Sequence, residues 1–176
     1  MIQALFWGGI AAASLLIGYL LAGTRLSKRS LGLVMAFGAG ALVSAIAYEL
    51  IPRSTLADQG SALAFLMGAV VFFAGDWLVD RRGGAKRKRI AGGSDSGSGA
   101  AIFIGALLDA IPESLILGMG FALGGEINLA FLVAVFISNL PEGLAGTVNL
   151  SATGVTRQRI LLSWSALVLV SALVSG

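Results

Sequence analysis

Long apolar runs, separated by short polar or basic segments, make up most of this 176-residue chain. Most of these runs are close to the length of about 20 residues that a helix needs to cross a bilayer. The pattern therefore predicts an all-α fold, a polytopic membrane helix bundle that forms one transmembrane domain over residues 1–176. The six predicted helices cover residues 2–22, 31–51, 61–79, 100–123, 127–150 and 160–175.

The composition supports a membrane protein and removes several kinds of chemistry. The chain is 57% hydrophobic and 12% charged, with a mean hydropathy of +0.92, whereas a soluble domain is about 25% charged. It contains neither Cys nor His. Disulfides, thiolate and imidazole metal ligands, a Cys nucleophile and a His base are therefore excluded.

Basic residues occupy alternate connections between the predicted helices. The first connection is basic and contains Arg25, Lys28 and Arg29. The third is basic over residues 81–89, and the fifth contains Arg157 and Arg159. The remaining connections hold Glu126 alone or the balanced pair Arg53 and Asp58. Because basic loops stay in the cytoplasm, we expect an outside N-terminus and insertion in the cell (plasma or inner) membrane.

The longest connection, residues 80–99, is predicted to be a flexible cytoplasmic loop. Its first part is basic and its second part, residues 91–99, is rich in Gly and Ser. We interpret the basic cluster Lys86–Arg89 as a topology anchor beside the third helix. Such a cluster can also bind anionic lipid or nucleic acid, and we expect membrane lipid, and no nucleic acid, as a partner.

Aromatic residues give a further expectation about the helix ends. Trp77 lies two residues from the end of its predicted helix, and Trp7 and Trp164 lie in the first half of theirs. Tryptophan is enriched at the membrane–water interface. We therefore predict interfacial positions for all three rings.

Two of the apolar runs carry acidic residues near their middle. Asp109 and Glu113 are four residues apart in the fourth helix, as Ser138 and Glu142 are in the fifth, so each pair shares a helix face. Asn139 is one turn from Glu142. With a rise of about 1.5 Å per residue, the two groups lie at matching heights in antiparallel neighbours. Carboxylates at that depth are costly and need a reason to be there.

Each acid has a purely structural explanation, as a protonated group hydrogen-bonded to a neighbouring helix. Three acids at one depth, with no Lys or Arg in any helix centre, favour a binding site instead, since they cannot all be ionised without a cation. Glu49 and Asp76 lie nearer helix ends. They are either way-stations for a cation or interfacial anchors.

Two prolines fit a binding site as well. Pro112 and Pro141 have no amide hydrogen, so carbonyls one turn earlier, near Leu108 and Ile137, lose their helical donors. Within a membrane such carbonyls are tolerated where they line a cavity. The sequence thus predicts an oxygen-rich site for a divalent cation, formed by Asp109, Glu113, Ser138, Asn139 and Glu142.

The motifs Asp109-Ala-Ile-Pro112-Glu113 and Ser138-Asn139-Leu-Pro141-Glu142-Gly143 resemble metal-binding motifs of a known transporter family. In the ZIP (Zrt/Irt-like) family of divalent metal transporters they lie in the fourth and fifth helices. Residues 37–52 are similar to the family's second helix, and residues 76–81 to the end of its third. The resemblance implies metal transport, an outside N-terminus and eight helices, of which this chain supplies six.

The chain departs from the family at the motif histidines. The usual form is close to His-Asn-x-Pro-Glu-Gly, and the two histidines fall on Asp109 and Ser138, with the first Asn on Ala110. Both glutamates are kept. An oxygen-only site loses much of the preference for zinc that imidazole gives and moves toward harder ions such as Mn²⁺, Fe²⁺ or Mg²⁺.

We therefore expect transport of a divalent metal ion as substrate, zinc or a harder ion such as manganese or iron, without a catalytic cofactor. A metal-binding membrane protein or sensor that does not transport is the alternative, and a proton channel is another. Enzyme activity is not expected, because no nucleophile or second catalytic group accompanies the acids. The oligomeric state stays open, with a homodimer among the states considered.

Overall fold

A computed structural model describes residues 2–24, 27–51, 59–81, 99–122 and 127–176 of the chain. The described residues form long helices and no strand, and six of these helices are long and apolar enough to span a membrane. The predicted all-α membrane helix bundle is confirmed, and the chain is a multi-pass membrane protein. The helices are α1 (Ile2–Leu21), α2 (Lys28–Ala45), α3 (Gln59–Arg81), α4 (Gly99–Ala122), α5 (Leu129–Ala152) and α6 (Arg157–Ser175).

Capping residues, rather than the edges of the apolar runs, set where two helices begin. The Ser27 side chain accepts a hydrogen bond from the Ser30 amide at 3.0 Å, so α2 begins three residues earlier than predicted. The Asn128 side chain accepts one from the Phe131 amide at 3.0 Å and fixes the start of α5. A cap satisfies amides that the first turn leaves without partners, which stabilises the start by about 1 kcal/mol.

A π-helical turn continues α2 over Ile46–Leu50, where the sequence pattern predicts a plain α-helix. The Ile51 amide bonds the Ile46 carbonyl at 3.0 Å, a spacing of five residues. Nothing in the apolar pattern marks this change, since a π turn differs from an α turn only in its hydrogen-bond spacing. Pro52 follows in the sequence and cannot donate to a continuing helix.

The centre of the bundle is α5, which packs most extensively against α1 and then against α2. Small residues make the close approach possible. A Cβ atom placed on Gly18 of α1 would meet the Leu140 carbonyl and, at 2.6 Å, the Leu144 amide nitrogen of α5. Membrane helices use such small residues to bring their backbones together.

The opposite side of the bundle is loosely packed. Among the described helices, α3 touches α4 alone, and most of its apolar side chains are exposed, as expected for a helix that faces lipid. Within the part of the chain that the structure describes, no Cα atom of α2 lies within 8 Å of one in α3 or α4. This separation leaves space between α2 and α4.

Several predictions fall on segments outside the described residues. They concern most of the basic and Gly/Ser loop 80–99, of which 82–98 are not described, and also Arg25, Arg53, Asp58 and Glu126. At the near end of that loop α3 continues to Arg81, two residues beyond its predicted end. These loop predictions stay predictions.

Candidate cation-binding cavity

A cavity of about 390 Å³ occupies the space between α2, α4 and α5. Most of its wall is apolar, and α3 and α6 each contribute one aromatic ring. Its position follows from the fold, because α5 holds α2 on one side and touches α4 on the other while α2 and α4 stay apart. The polar residues of the wall are Asp109, Glu113, Ser138 and Glu142.

The structure brings together four of the five residues that the sequence predicts for the site. Asp109 and Glu113 reach the cavity from one face of α4, and Ser138 and Glu142 from one face of α5. Each of the three acids makes a polar or electrostatic interaction within the protein. Among the described residues that line the cavity none is Lys or Arg, so their formal charge is negative wherever these acids are ionised.

Asn139, the fifth predicted residue, does not line the cavity. It is buried, with 3% of its surface exposed. It precedes Gly143 by four residues and so shares its face of α5. A Cβ atom at Gly143 would meet the backbone of Leu15 in α1. Asn139 therefore lies on the α1 side of α5, about 100° around the helix from Ser138.

The carboxylates border the cavity without forming a compact ligand cluster. Among the described residues, no three His, Cys, Asp or Glu side chains come close enough to hold a metal ion together. A water molecule needs only about 10–15 Å³ of such a cavity. The space of about 390 Å³ therefore has room for a cation that keeps part of its hydration shell.

The hydroxyl of Ser138 is oriented by its own helix. Its Oγ donates a hydrogen bond to the Val135 carbonyl at 3.0 Å. Because this bond uses the hydroxyl hydrogen, the oxygen lone pairs of Ser138 remain acceptors. A cavity-lining hydroxyl in this state can bind a cation or a water molecule of its shell.

Both prolines line the cavity, inside helices that continue through them. Pro112 lies between Asp109 and Glu113 in sequence, and Pro141 precedes Glu142 directly. Their missing amides remove helical hydrogen bonds at the level of the acids. The prediction that the prolines belong to the site agrees with this position.

Other cavity residues were not predicted as part of the site. On α2 and the π-helical turn that continues it, they recur with helical spacing, as Met35, Ala39, Leu42 and Ile46. This spacing was visible in the sequence, but an apolar stripe has the same pattern whether it packs against a helix or borders a cavity. Met35 also adds a thioether, a softer donor than the predicted oxygen-only set.

The prediction that Trp164 lies at the lipid interface is wrong. Its side chain is fully buried within the bundle and lines the cavity from α6. Trp77, in contrast, is 48% exposed, and the Arg81 guanidinium lies 3.8 Å from the centre of its ring. A cation–π pair at the exposed end of a helix suits an interfacial position.

The two acids nearer helix ends do not join the cavity-lining set. Asp76 interacts within the protein but is not part of the wall. Glu49 lies in the π-helical turn, and its side chain is outside the described part of the chain. Their roles as way-stations or anchors stay predictions.

Comparisons with known proteins find no relative of this chain. No family model, curated protein or solved structure matches this chain. The resemblance to the ZIP family therefore stays a prediction that depends on the motifs around Pro112 and Pro141.

Proposed function

We propose that this protein transports divalent metal cations across the membrane through the cavity between α2, α4 and α5. The observation that carries the proposal is that Asp109, Glu113 and Glu142 line one cavity inside a bundle of membrane-spanning helices. The resemblance to ZIP transporters points to the same function. We further propose the cell membrane as its location, with the N-terminus outside, from the charges of the loops.

The physical basis is the cost of carboxylates in an apolar wall. An ionised carboxylate loses most of its hydration there and must gain a proton or a cation in exchange. Within the described part of the chain, no Lys or Arg is part of the wall. A mobile cation that displaces protons from Asp109, Glu113 and Glu142 satisfies this requirement and can leave again.

The ligands favour a hard or intermediate ion. Carboxylate and hydroxyl oxygens suit Mn²⁺, Fe²⁺ and Mg²⁺, and the missing imidazoles weaken the preference for zinc. The thioether of Met35 extends the range toward softer ions. We propose a transporter with relaxed selectivity among zinc, manganese and iron as substrates, and no enzymatic activity.

Metal uptake into proteoliposomes tests the proposal. We expect Glu113→Gln and Glu142→Gln each to lower Mn²⁺ and Zn²⁺ uptake by at least about tenfold, because each amide removes a ligand charge at nearly constant shape. Asp80→Asn is the matched control, since Asp80 lies at the end of α3 and does not line the cavity. Unchanged uptake in both glutamate variants would overturn the assignment.

The same preparation distinguishes a metal-binding protein that does not transport. Such a protein binds Mn²⁺ in an equilibrium assay, loses binding in Glu113→Gln, and shows no uptake above that of empty liposomes. A proton leak that needs no metal would indicate a proton channel instead. Either result replaces transport as the function of the cavity.

A further inference from the structure

The indole ring of Trp164 forms part of the cavity wall. The ring packs in a buried cluster with residues of α1, α4, α5 and α6, among them Ala106, Ala110 and Leu150. None of its surface is accessible to solvent, so the ring is fully packed in the closed bundle. The ring is thus both a core side chain and part of the cavity wall.

A hydrogen bond fixes the orientation of this ring. Trp164 Nε1 donates to Thr147 Oγ1 at 2.9 Å. The Thr147 hydroxyl in turn donates to the Gly143 carbonyl at 2.6 Å, so its lone pairs point to the indole. All three groups are buried, and a buried donor such as the indole nitrogen is costly to leave without an acceptor.

The ring lies between the acids and the turn that joins α5 to α6. Ala106, which packs in the same buried cluster, and Gly146, which precedes Thr147 directly, also line the wall. Ala106 precedes Asp109 by three residues and Gly146 follows Glu142 by four, so both are about one turn nearer that end of the bundle. Thr147 lies six residues before the turn at residues 153–156, and Trp164 lies eight residues after it.

We propose that Trp164 is a gate that closes the cavity toward the α5–α6 turn and that Thr147 holds it shut. The proposal rests on the proposed function, because it assumes that a cation leaves or enters at this end. The ring separates the acids Asp109 and Glu142 from that face. Opening requires the indole to leave Thr147 and rotate or shift away from Ala106.

The chemistry of the indole suits this role better than that of the other rings in the wall. Phe72 and Phe131 also line the cavity, but a phenyl ring has no polar atom that could set a preferred position. The indole is large enough to exclude water, and its single donor defines one closed orientation. Loss of the acceptor should therefore weaken closure while leaving the ring in the core.

Thiol labelling tests the gate without relying on transport. The chain has no native Cys, so Ser138→Cys places a single, nearly isosteric thiol in the cavity wall. A membrane-impermeant thiol reagent is applied to each face of vesicles separately. Thr156→Cys reports which face carries the α5–α6 turn, because Thr156 is exposed and its side chain makes no capping bond.

In the otherwise unchanged protein, we expect the Ser138→Cys thiol to react much more slowly from the α5–α6 face than from the opposite face. Thr147→Val keeps the side-chain volume but removes the acceptor, and should raise the rate from the α5–α6 face about tenfold, the factor expected for one lost hydrogen bond. Trp164→Ala should raise it further. Thr147→Ser, which retains the hydroxyl, is the control and should react as slowly as the parent.

Equal rates from the two faces in the parent protein would overturn the gate, and this result needs no gate variant to fold. Unchanged rates in Thr147→Val and Trp164→Ala would overturn it as well, as would a rise in Thr147→Ser equal to that in Thr147→Val. Labelling measures water access and not metal flux. A protein with the expected labelling but no uptake would fail the transport proposal and leave the gate intact.

Discussion

At the scale of single residues, the chemistry of the cavity comes from carboxylates, which are costly to place in an apolar bundle. Asp109, Glu113 and Glu142 reach one space from two helices, and Ser138 adds a hydroxyl whose hydrogen is already used by the Val135 carbonyl. Under the proposed function, these four side chains decide which metal ion binds. Substitution at two of them should change that choice.

Placing imidazoles at positions 109 and 138 should create a preference for zinc. We expect the double variant Asp109→His and Ser138→His to raise the affinity for Zn²⁺ relative to Mn²⁺ by on the order of tenfold, because imidazole suits zinc better than carboxylate or hydroxyl oxygen does. Competition binding in detergent measures the ratio. Asp109→Asn is the control, since it removes the charge without adding an imidazole, and an equal shift in it would contradict the explanation.

Sequence reasoning identified these acids because a carboxylate in a long apolar run is conspicuous and the i, i+4 spacing fixes a shared face. It also included Asn139 because of its side-chain amide. Asn139 is the next residue after Ser138, about 100° further around the helix, and therefore faces α1. It missed Trp164 and Met35. An apolar residue in an apolar run carries no signal that separates a cavity wall from ordinary packing.

At the scale of helices, close backbone approach between α1 and α5 sets the frame of the cavity. Gly18 and Gly143 lie where each helix meets the backbone of the other, and Gly38 gives α2 a similar approach to Ser138 of α5. These contacts fix α5 relative to α1 and α2. The face of α5 that carries Glu142 is thereby turned to the cavity.

Filling that approach should destabilise the protein. We expect Gly18→Ala to lower the free energy of unfolding by about 1–3 kcal/mol, the range for overpacking, because its Cβ would overlap the backbone of Leu140 and Leu144. Gly40→Ala is the matched control. Beyond its chain neighbours and the backbone of its own helix, no atom of a described residue lies within 4 Å of its Cβ position, so the better helix propensity of Ala should leave stability unchanged or slightly raised.

Denaturation in detergent, followed by circular dichroism, measures both glycine variants. Equal losses of stability in Gly18→Ala and Gly40→Ala would show that the α1–α5 approach is not what Gly18 provides.

The existence of the helices was predictable from the apolar runs, whereas the pairing of α1 with α5 was not. The sequence has many glycines, and only the fold shows which of them meet another backbone.

At the scale of the whole molecule, the number and type of helices follow from the bilayer. A segment in lipid must satisfy its backbone hydrogen bonds internally, so apolar runs of this length form helices. The neighbours of each helix do not follow from that rule. The antiparallel contact of α4 and α5 was expected, but the dominant contact of α5 is with α1, which is distant in sequence.

The orientation of the whole bundle is a separate prediction from loop charge. Single cysteines at Thr24 and Thr156, both exposed in turns on the basic side, should react with an impermeant reagent only when the cytoplasmic face is open. A cysteine at Gln59, the first residue of α3, should react from outside intact cells. The reverse pattern would contradict an outside N-terminus.

The central claim is that the cavity between α2, α4 and α5 holds a divalent cation. Anomalous scattering from crystals grown with Mn²⁺ tests it most directly, because it locates the ion without any assay of activity. We predict a manganese peak within the cavity, bordered by Asp109, Glu113 and Glu142, that disappears in the double variant Glu113→Gln and Glu142→Gln. A cavity without a peak, or a peak that persists in the double variant, would contradict the claim.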